Sequence, residues 1–302
     1  MADSINDEFG VRKIYPTNTH PNRAKPWLLG RGDWEGRMYN GRGDWDDYSI
    51  STYNNTVTLN FVNDPFIIHI GDIKGRFPVL ALRRDQYPKD FEGNITIGSE
   101  KDQRKLRKSG YMGTLNDWKN VEITGYVKYN SGKSDENFDW YARGGKHTDD
   151  NKGCEGTAYK GDLYYSGNSE FGKEQSHPHG FISTDTKLNA VSPLQGKWIG
   201  FKFVMYNLPP KIGNITMTTA TTANTPVKLE NWINENADGK TWTKIDEKID
   251  YGGWGKSGNR CGGTQDQIIT WGGPIATFRW DNADSVDIKN FSVREIQLPV
   301  PK

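Results

Sequence analysis

Cysteine is nearly absent from this chain, with only Cys154 and Cys261 among 302 residues. That excludes a disulfide-stapled scaffold and any Cys-x-x-Cys metal or redox site. Both cysteines lie in glycine-rich stretches, and whether they pair stays open at this level. Net charge is also lacking. The 39 Lys and Arg offset 38 Asp and Glu to leave +1, so there is no basic stripe to neutralise nucleic-acid phosphates. No apolar run approaches the roughly 18 residues of a membrane span. The first residues, Met1-Ala2-Asp3-Ser4, carry neither a basic nor an apolar leader pattern. There is no Gly-x-Ser-x-Gly elbow, phosphate loop or His-Glu-x-x-His pair. Helical periodicity is missing throughout.

Aromatic residues and turn formers are plentiful. Eleven Trp, 14 Tyr and 12 Phe accompany 34 Gly and 14 Pro. Short alternating runs rich in β-branched and aromatic residues recur, separated by Gly, Asn and Asp. They read as about thirteen strands. The runs are 56–62, 66–70, 78–83, 121–129, 137–143, 157–165, 171–177, 198–206, 226–233, 241–249, 267–271, 275–281 and 286–296. Such a series predicts an all-β, antiparallel two-sheet β-sandwich, a β-jelly roll of the concanavalin A-like kind. Residues 1–50 are expected to form an irregular arm packed on one sandwich domain, 51–302. Within the arm, Gly30-Arg31-Gly32-Asp33-Trp34 returns as Gly41-Arg42-Gly43-Asp44-Trp45, read as two similar turns each anchored by a Trp.

Alternation also assigns faces. In 198–206, Ile199, Phe201, Phe203 and Met205 form a core face. Trp198, Lys202 and Tyr206 lie opposite. Arg143 and Tyr141 share a face of 137–143, and Lys173, Gln175 and His177 share one of 171–177. Glu230 and Trp232 fall together, as do Arg279 and Asp281. Solvated faces normally carry short or flexible polar groups. Arg, Gln, His, Tyr and Trp on several strands suit a sugar-binding groove instead, rings against pyranose C–H faces and planar polar groups on hydroxyls and carboxylates. Tyr159, Lys173 and His147 join the groove as substrate-binding candidates.

One chemistry fits that toolkit: β-elimination on a uronic-acid polymer. The carboxylate beside C5 must be neutralised, a base must remove the C5 proton, and an acid must protonate the leaving C4 oxygen. Gln175-Ser176-His177 resembles the Gln-x-His motif of β-jelly-roll alginate lyases. Lys202 and Tyr206 resemble the Lys-x-x-x-Tyr of their next motif, and 141–177 is similar to glucuronan-lyase-type jelly rolls. Gly200, Val204 and Leu208 depart from that motif. The resemblance implies that Arg143 and Gln175 neutralise the carboxylate, that His177 and Tyr206 act as base and acid in either order, and that Lys202 binds substrate. No cofactor is required, and the partner is an anionic polysaccharide bound by an extracellular monomer. Asp281, Asp284 and Asp287 offer the one place for a structural Ca2+. Two other readings stay open. One is a non-catalytic, lectin-like carbohydrate-binding or adhesion protein. The other is a coat-type jelly roll whose groove face is an interface.

Overall fold

The computed structural model describes residues 4–19, 26–28, 37–39, 45–46, 56–60, 66–71, 118–144, 158–174, 181–209, 211–212, 215–216, 225–254, 268–270, 272 and 275–298. No helix occurs among them, so none is long and apolar enough to cross a membrane. The early strands are β1 (Trp27–Leu28), β2 (Arg37–Tyr39), β3 (Trp45–Asp46), β4 (Thr56–Asn60) and β5 (Phe66–Gly71). The middle ones are β6 (Val121–Gly132), β7 (Asn137–Gly144), β8 (Ala158–Tyr164), β9 (Ser169–Glu174), β10 (Phe181–Ser183) and β11 (Trp198–Asn207). Then come β12 (Lys211–Ile212), β13 (Ile215–Thr216), β14 (Val227–Asn234), β15 (Thr243–Asp250), β16 (Ile275–Trp280) and β17 (Ala283–Glu295).

Two large antiparallel sheets result, beside a two-stranded ribbon of β12 and β13. The seven-stranded sheet runs β1-β17-β6-β11-β14-β15, with β4 also on β17. The eight-stranded sheet runs β10-β9-β8-β7-β16-β5-β2-β3. The expected two-sheet sandwich is therefore the observed architecture. Strands β1, β2 and β3 fall inside the stretch read as an irregular arm, yet they pair with β17, β5 and each other. Residues 4–19 lie over the seven-stranded sheet, bridged at Thr17 to Ile296.

The inner faces follow the period-2 pattern. Ile199, Phe201, Phe203 and Met205 of β11 are buried, with Phe138, Trp140 and Ala142 of β7 and Phe278 of β16 in the same core. Aromatic rings fill the space between sheets. The Trp140 and Phe201 ring centroids are 4.6 Å apart, and Phe278 stacks on Phe291 at 4.3 Å. Packing of this kind stabilises a sandwich because each ring removes a large apolar area from water.

Gly161 on β8 marks a tight approach between the sheets. A Cβ there would sit 2.5 Å from Asn231 Oδ1 and 2.6 Å from the Phe203 ring. Asn231 cannot easily retreat, because its Nδ2 donates to Ser169 Oγ at 2.9 Å. Gly161→Ala is expected to cost about 1–3 kcal/mol through overpacking. Denaturant unfolding checks this, and an unchanged midpoint would refute the tight contact.

The run 267–271 was expected as a strand, but described residues 268–270 are not one. Side chains tie this segment down instead. The Ile269 carbonyl accepts from Arg143, the Ile269 N–H donates to Tyr159, and the Thr270 carbonyl accepts from Asn207. The run 78–83 and both cysteines lie outside the described residues.

Candidate functional site

The groove residues proposed from sequence do not share one face. They divide among three places, and Gln175, His177 and His147 lie outside the described residues.

The first place is the outer face of the seven-stranded sheet. Lys202 is buried, with Nζ 2.6 Å from Glu122 Oε1 and 2.9 Å from Thr124 Oγ1. Trp242 covers it, the ring centroid 4.5 Å from Nζ. The second oxygen of Glu122 accepts from Arg294 and from the Ile14 amide. Lys202 therefore belongs to an ionic cluster under residues 4–19 rather than to an open groove. Its pKa is lowered, by burial first, against the pull of Glu122. Tyr206 also lies under that segment. Its hydroxyl is 3.2 Å from Tyr15 and donates to Glu230 Oε1 at 3.2 Å. Burial, the Tyr15 hydrogen bond and the Glu230 charge push its pKa up, so the phenol stays protonated. Glu230 also accepts from Trp232 Nε1 at 2.9 Å, and Lys289 lies 4.1 Å from the Trp198 ring centroid. Sequence alternation put Glu230 and Trp232 on one face of their strand and Tyr206 on the non-core face of another, without showing that the two strands are neighbours. It could not show that Tyr15, nearly two hundred residues away, would close over them.

The second place is the interior near the ends of β7, β8, β9 and β15. Arg143, Tyr159 and Lys173 meet there. Tyr159 donates to Asp250 Oδ2 at 2.5 Å, and Lys173 Nζ is 2.6 Å from the same oxygen. Trp254 stacks near Tyr159 at 5.9 Å. Arg143 Nη1 donates to Asn207 Oδ1 at 2.6 Å and to the Ile269 carbonyl at 2.7 Å. These groups were expected to face a groove, but all three are buried between the sheets. Lys173 keeps the parity of Phe171, which is core, so both face inward.

The third place is the outer face of the eight-stranded sheet. Tyr141 and Arg279 fall there as expected, on neighbouring strands β7 and β16. Sequence reasoning missed most of their companions. Lys160 on β8 lies 3.3 Å from Asp139 Oδ2 and 3.0 Å from Glu174 Oε2. It also sits between two rings, 4.8 Å from the Tyr141 centroid and 5.0 Å from that of Phe181. Burial opposes the Lys160 charge, but Asp139 and Glu174 outweigh it and raise its pKa. Phe181 is 47% exposed on edge strand β10. Glu170 accepts from Tyr164 and Thr186 at 2.8 and 2.7 Å. Asp139 and Asp162 are direct cross-strand partners. Burial, then the charge of Asp139, raises the Asp162 pKa well above the carboxylate range. A search for acids alternating along one strand could not find this pair, because its members sit on different strands.

The calcium candidates do not converge. Asp281 accepts both prongs of Arg279 at 2.6 and 2.8 Å, and Asp287 pairs with Lys128 at 3.5 Å. Asp284 is exposed. Among the described residues, no group of three acid, His or Cys side chains is arranged to hold a metal.

No protein-family model matches the chain, and no curated protein does. Among solved structures, a legume lectin-like domain from Entamoeba histolytica aligns over 87% of this chain and 90% of its own, at 8% identity and TM-score 0.39. The carbohydrate-binding module CBM66 from Bacillus subtilis aligns over 58% and 75%, at 9% identity and TM-score 0.30. A xylan β-1,4-xylosidase from Bacillus halodurans C-125 aligns over 60% of this chain but only 28% of its own, at 6% identity and TM-score 0.33. Likenesses this weak carry no argument about what the chain binds.

Proposed function

We propose that this chain is a glycan-binding protein whose ligand lies across the outer face of the eight-stranded sheet. The observation that supports it most is the row formed by Phe181, Lys160 and Tyr141, with Glu174, Asp139 and Arg279 beside it. Phe181 at the rim offers a stacking surface for a pyranose, and the partly exposed Tyr164, Arg279 and Asp281 offer hydroxyl partners, while the buried Lys160, Tyr141, Asp139 and Glu174 back the rim. Among the described residues, acids outnumber cations on this face: Asp139, Asp162, Glu170, Glu174 and Asp281 against Lys160 and Arg279. That balance favours a neutral glycan over a polyuronide. An extracellular setting belongs to the same proposal.

Elimination is set aside as the main reading on geometric grounds. Arg143 reaches Asn207 from the interior, whereas Tyr206 meets Glu230 on the opposite side of the same sheet. One sugar residue does not touch both in this arrangement, and Lys202 is already spent on Glu122.

Affinity electrophoresis through gels containing xylan, mannan, β-glucan, alginate or glucuronan tests the proposal, with ultraviolet absorbance followed in parallel. We expect retardation by a neutral glycan and no absorbance change. Phe181→Ala, at an exposed edge position, is expected to weaken binding about tenfold, the effect of losing some 1.4 kcal/mol of stacking. Unretarded migration on every glycan would end the proposal. A rise in absorbance on alginate or glucuronan would restore elimination.

A further inference from the structure

Arg143 is the odd member of the interior cluster. Its side chain is completely buried. Two acceptors meet Nη1, but both are neutral: the Asn207 side-chain oxygen and the Ile269 carbonyl. Among the described residues, the Nε and Nη2 donors have no hydrogen-bond partner. No carboxylate among the described residues reaches it. The nearby acid, Asp250, is already committed: Oδ2 takes Lys173 and Tyr159, and Oδ1 takes the Gly252 amide at 2.8 Å.

Among the described residues, Arg143 therefore has no counter-charge of its own. A guanidinium does not shed its proton to escape this, as a lysine can. Burial lowers its pKa to about 9, which leaves it charged at neutral pH. A bare buried cation with open donors is costly. The backbone nevertheless aims it inward: Arg143 sits at φ +76°, where β7 loses regular register with β16. A non-glycine residue in that region stores strain that its surroundings must hold in place.

We propose that Arg143 holds a small monovalent anion, chloride in ordinary media, between the two sheets through its Nε–H and Nη2–H donors. A small ion supplies the missing charge and accepts from both vacant N–H groups at once. A polymer carboxylate, the partner that the family resemblance implies for Arg143, is too large for a group with no exposed surface. The ion is taken up as the sheets close, and binding only the folded state stabilises it.

The test is thermal unfolding of the full chain, first exchanged into isethionate and then titrated with chloride or bromide at constant ionic strength. The midpoint is expected to rise saturably, by about 3 °C per tenfold chloride above the dissociation constant. Free glucuronate over the same range is expected to give no rise. Arg143→Gln is expected to abolish the chloride dependence. Should that variant fail to fold, bromide-soaked wild-type crystals provide the second readout, an anomalous peak within hydrogen-bond reach of Nε and Nη2. No halide dependence in wild type, an equal dependence in Arg143→Gln, a response to glucuronate alone, or no bromide at Arg143 would each overturn the proposal.

Discussion

Glu122→Ala is expected to lower the free energy of unfolding by about 3–5 kcal/mol, with a fall in melting midpoint of roughly 10 °C. Glu122 is completely buried, and its carboxylate pairs with both Lys202 and Arg294. Removing it leaves two like charges facing each other away from water. It also removes the acceptor for the Ile14 amide at 3.1 Å, and with it one tie between residues 4–19 and the sheet. Calorimetry of the variant is the check, and a loss below 1 kcal/mol would show that the cluster is not what holds this face. The same carboxylate sets an acid limit. Burial alone would raise its pKa, but Arg294 and Lys202 outweigh burial and hold it at about 2. A depressed acid stabilises the fold above its unfolded pKa, near 4.5, and that stability drains away as pH falls through about 2. The amount at stake is about 3 kcal/mol. Glu122→Gln should flatten this part of the stability–pH curve.

The opposite pH dependence is expected from Asp162, which lies across from Asp139. Asp139 Oδ1 and Asp162 Oδ1 are buried, and neither has a hydrogen-bond donor. The two residues are directly paired across β7 and β8, and burial followed by the Asp139 charge favours a proton on Asp162. The charged groups facing the pair are Lys160 on β8, Glu170 and Glu174 on β9, and Arg279 on β16 with Asp281. Only Lys160 and Arg279 among these favour ionisation. An acid whose folded pKa is raised contributes its stability fully below the unfolded value, near 4. It loses that stability as pH rises through the folded value. Asp162→Asn, which imitates the protonated form, is expected to remove this alkaline loss. It should stabilise the protein at pH 8 by about 1 kcal/mol or more, roughly 2–4 °C. Denaturant unfolding from pH 4 to 9 compares the two proteins. Parallel curves would mean that Asp162 carries no proton. With Glu122 acting at the acid end, stability should peak at intermediate pH.

Much of the fold was legible beforehand. Period-2 alternation placed β6, β7, β11, β14 and β16 within a few residues of their observed ends, because a strand with one buried face cannot shift by one residue without exposing it. The inner stripe of β11 followed from the same rule. The candidate site was far less legible. Lys202 and Tyr206 lie on the non-core face that alternation assigned them, yet that face is covered rather than open. Lys173 has the parity of the core residue Phe171, and an inward lysine is intelligible only once Asp250, from β15 of the other sheet, is seen to meet it. The Asp139–Asp162 pair needed the β7–β8 register.

The sequence by itself determined the class of structure, the strands and which side chains point to opposite faces of each, since these depend on neighbours two residues apart along one chain. Which faces meet, which are covered and which charges find partners was decided only by the tertiary structure. Those contacts join Glu122 to Arg294, Lys173 to Asp250 and Tyr15 to Glu230. Burial and pairing of ionic groups are set by distance in space across two sheets, and no local pattern encodes that distance.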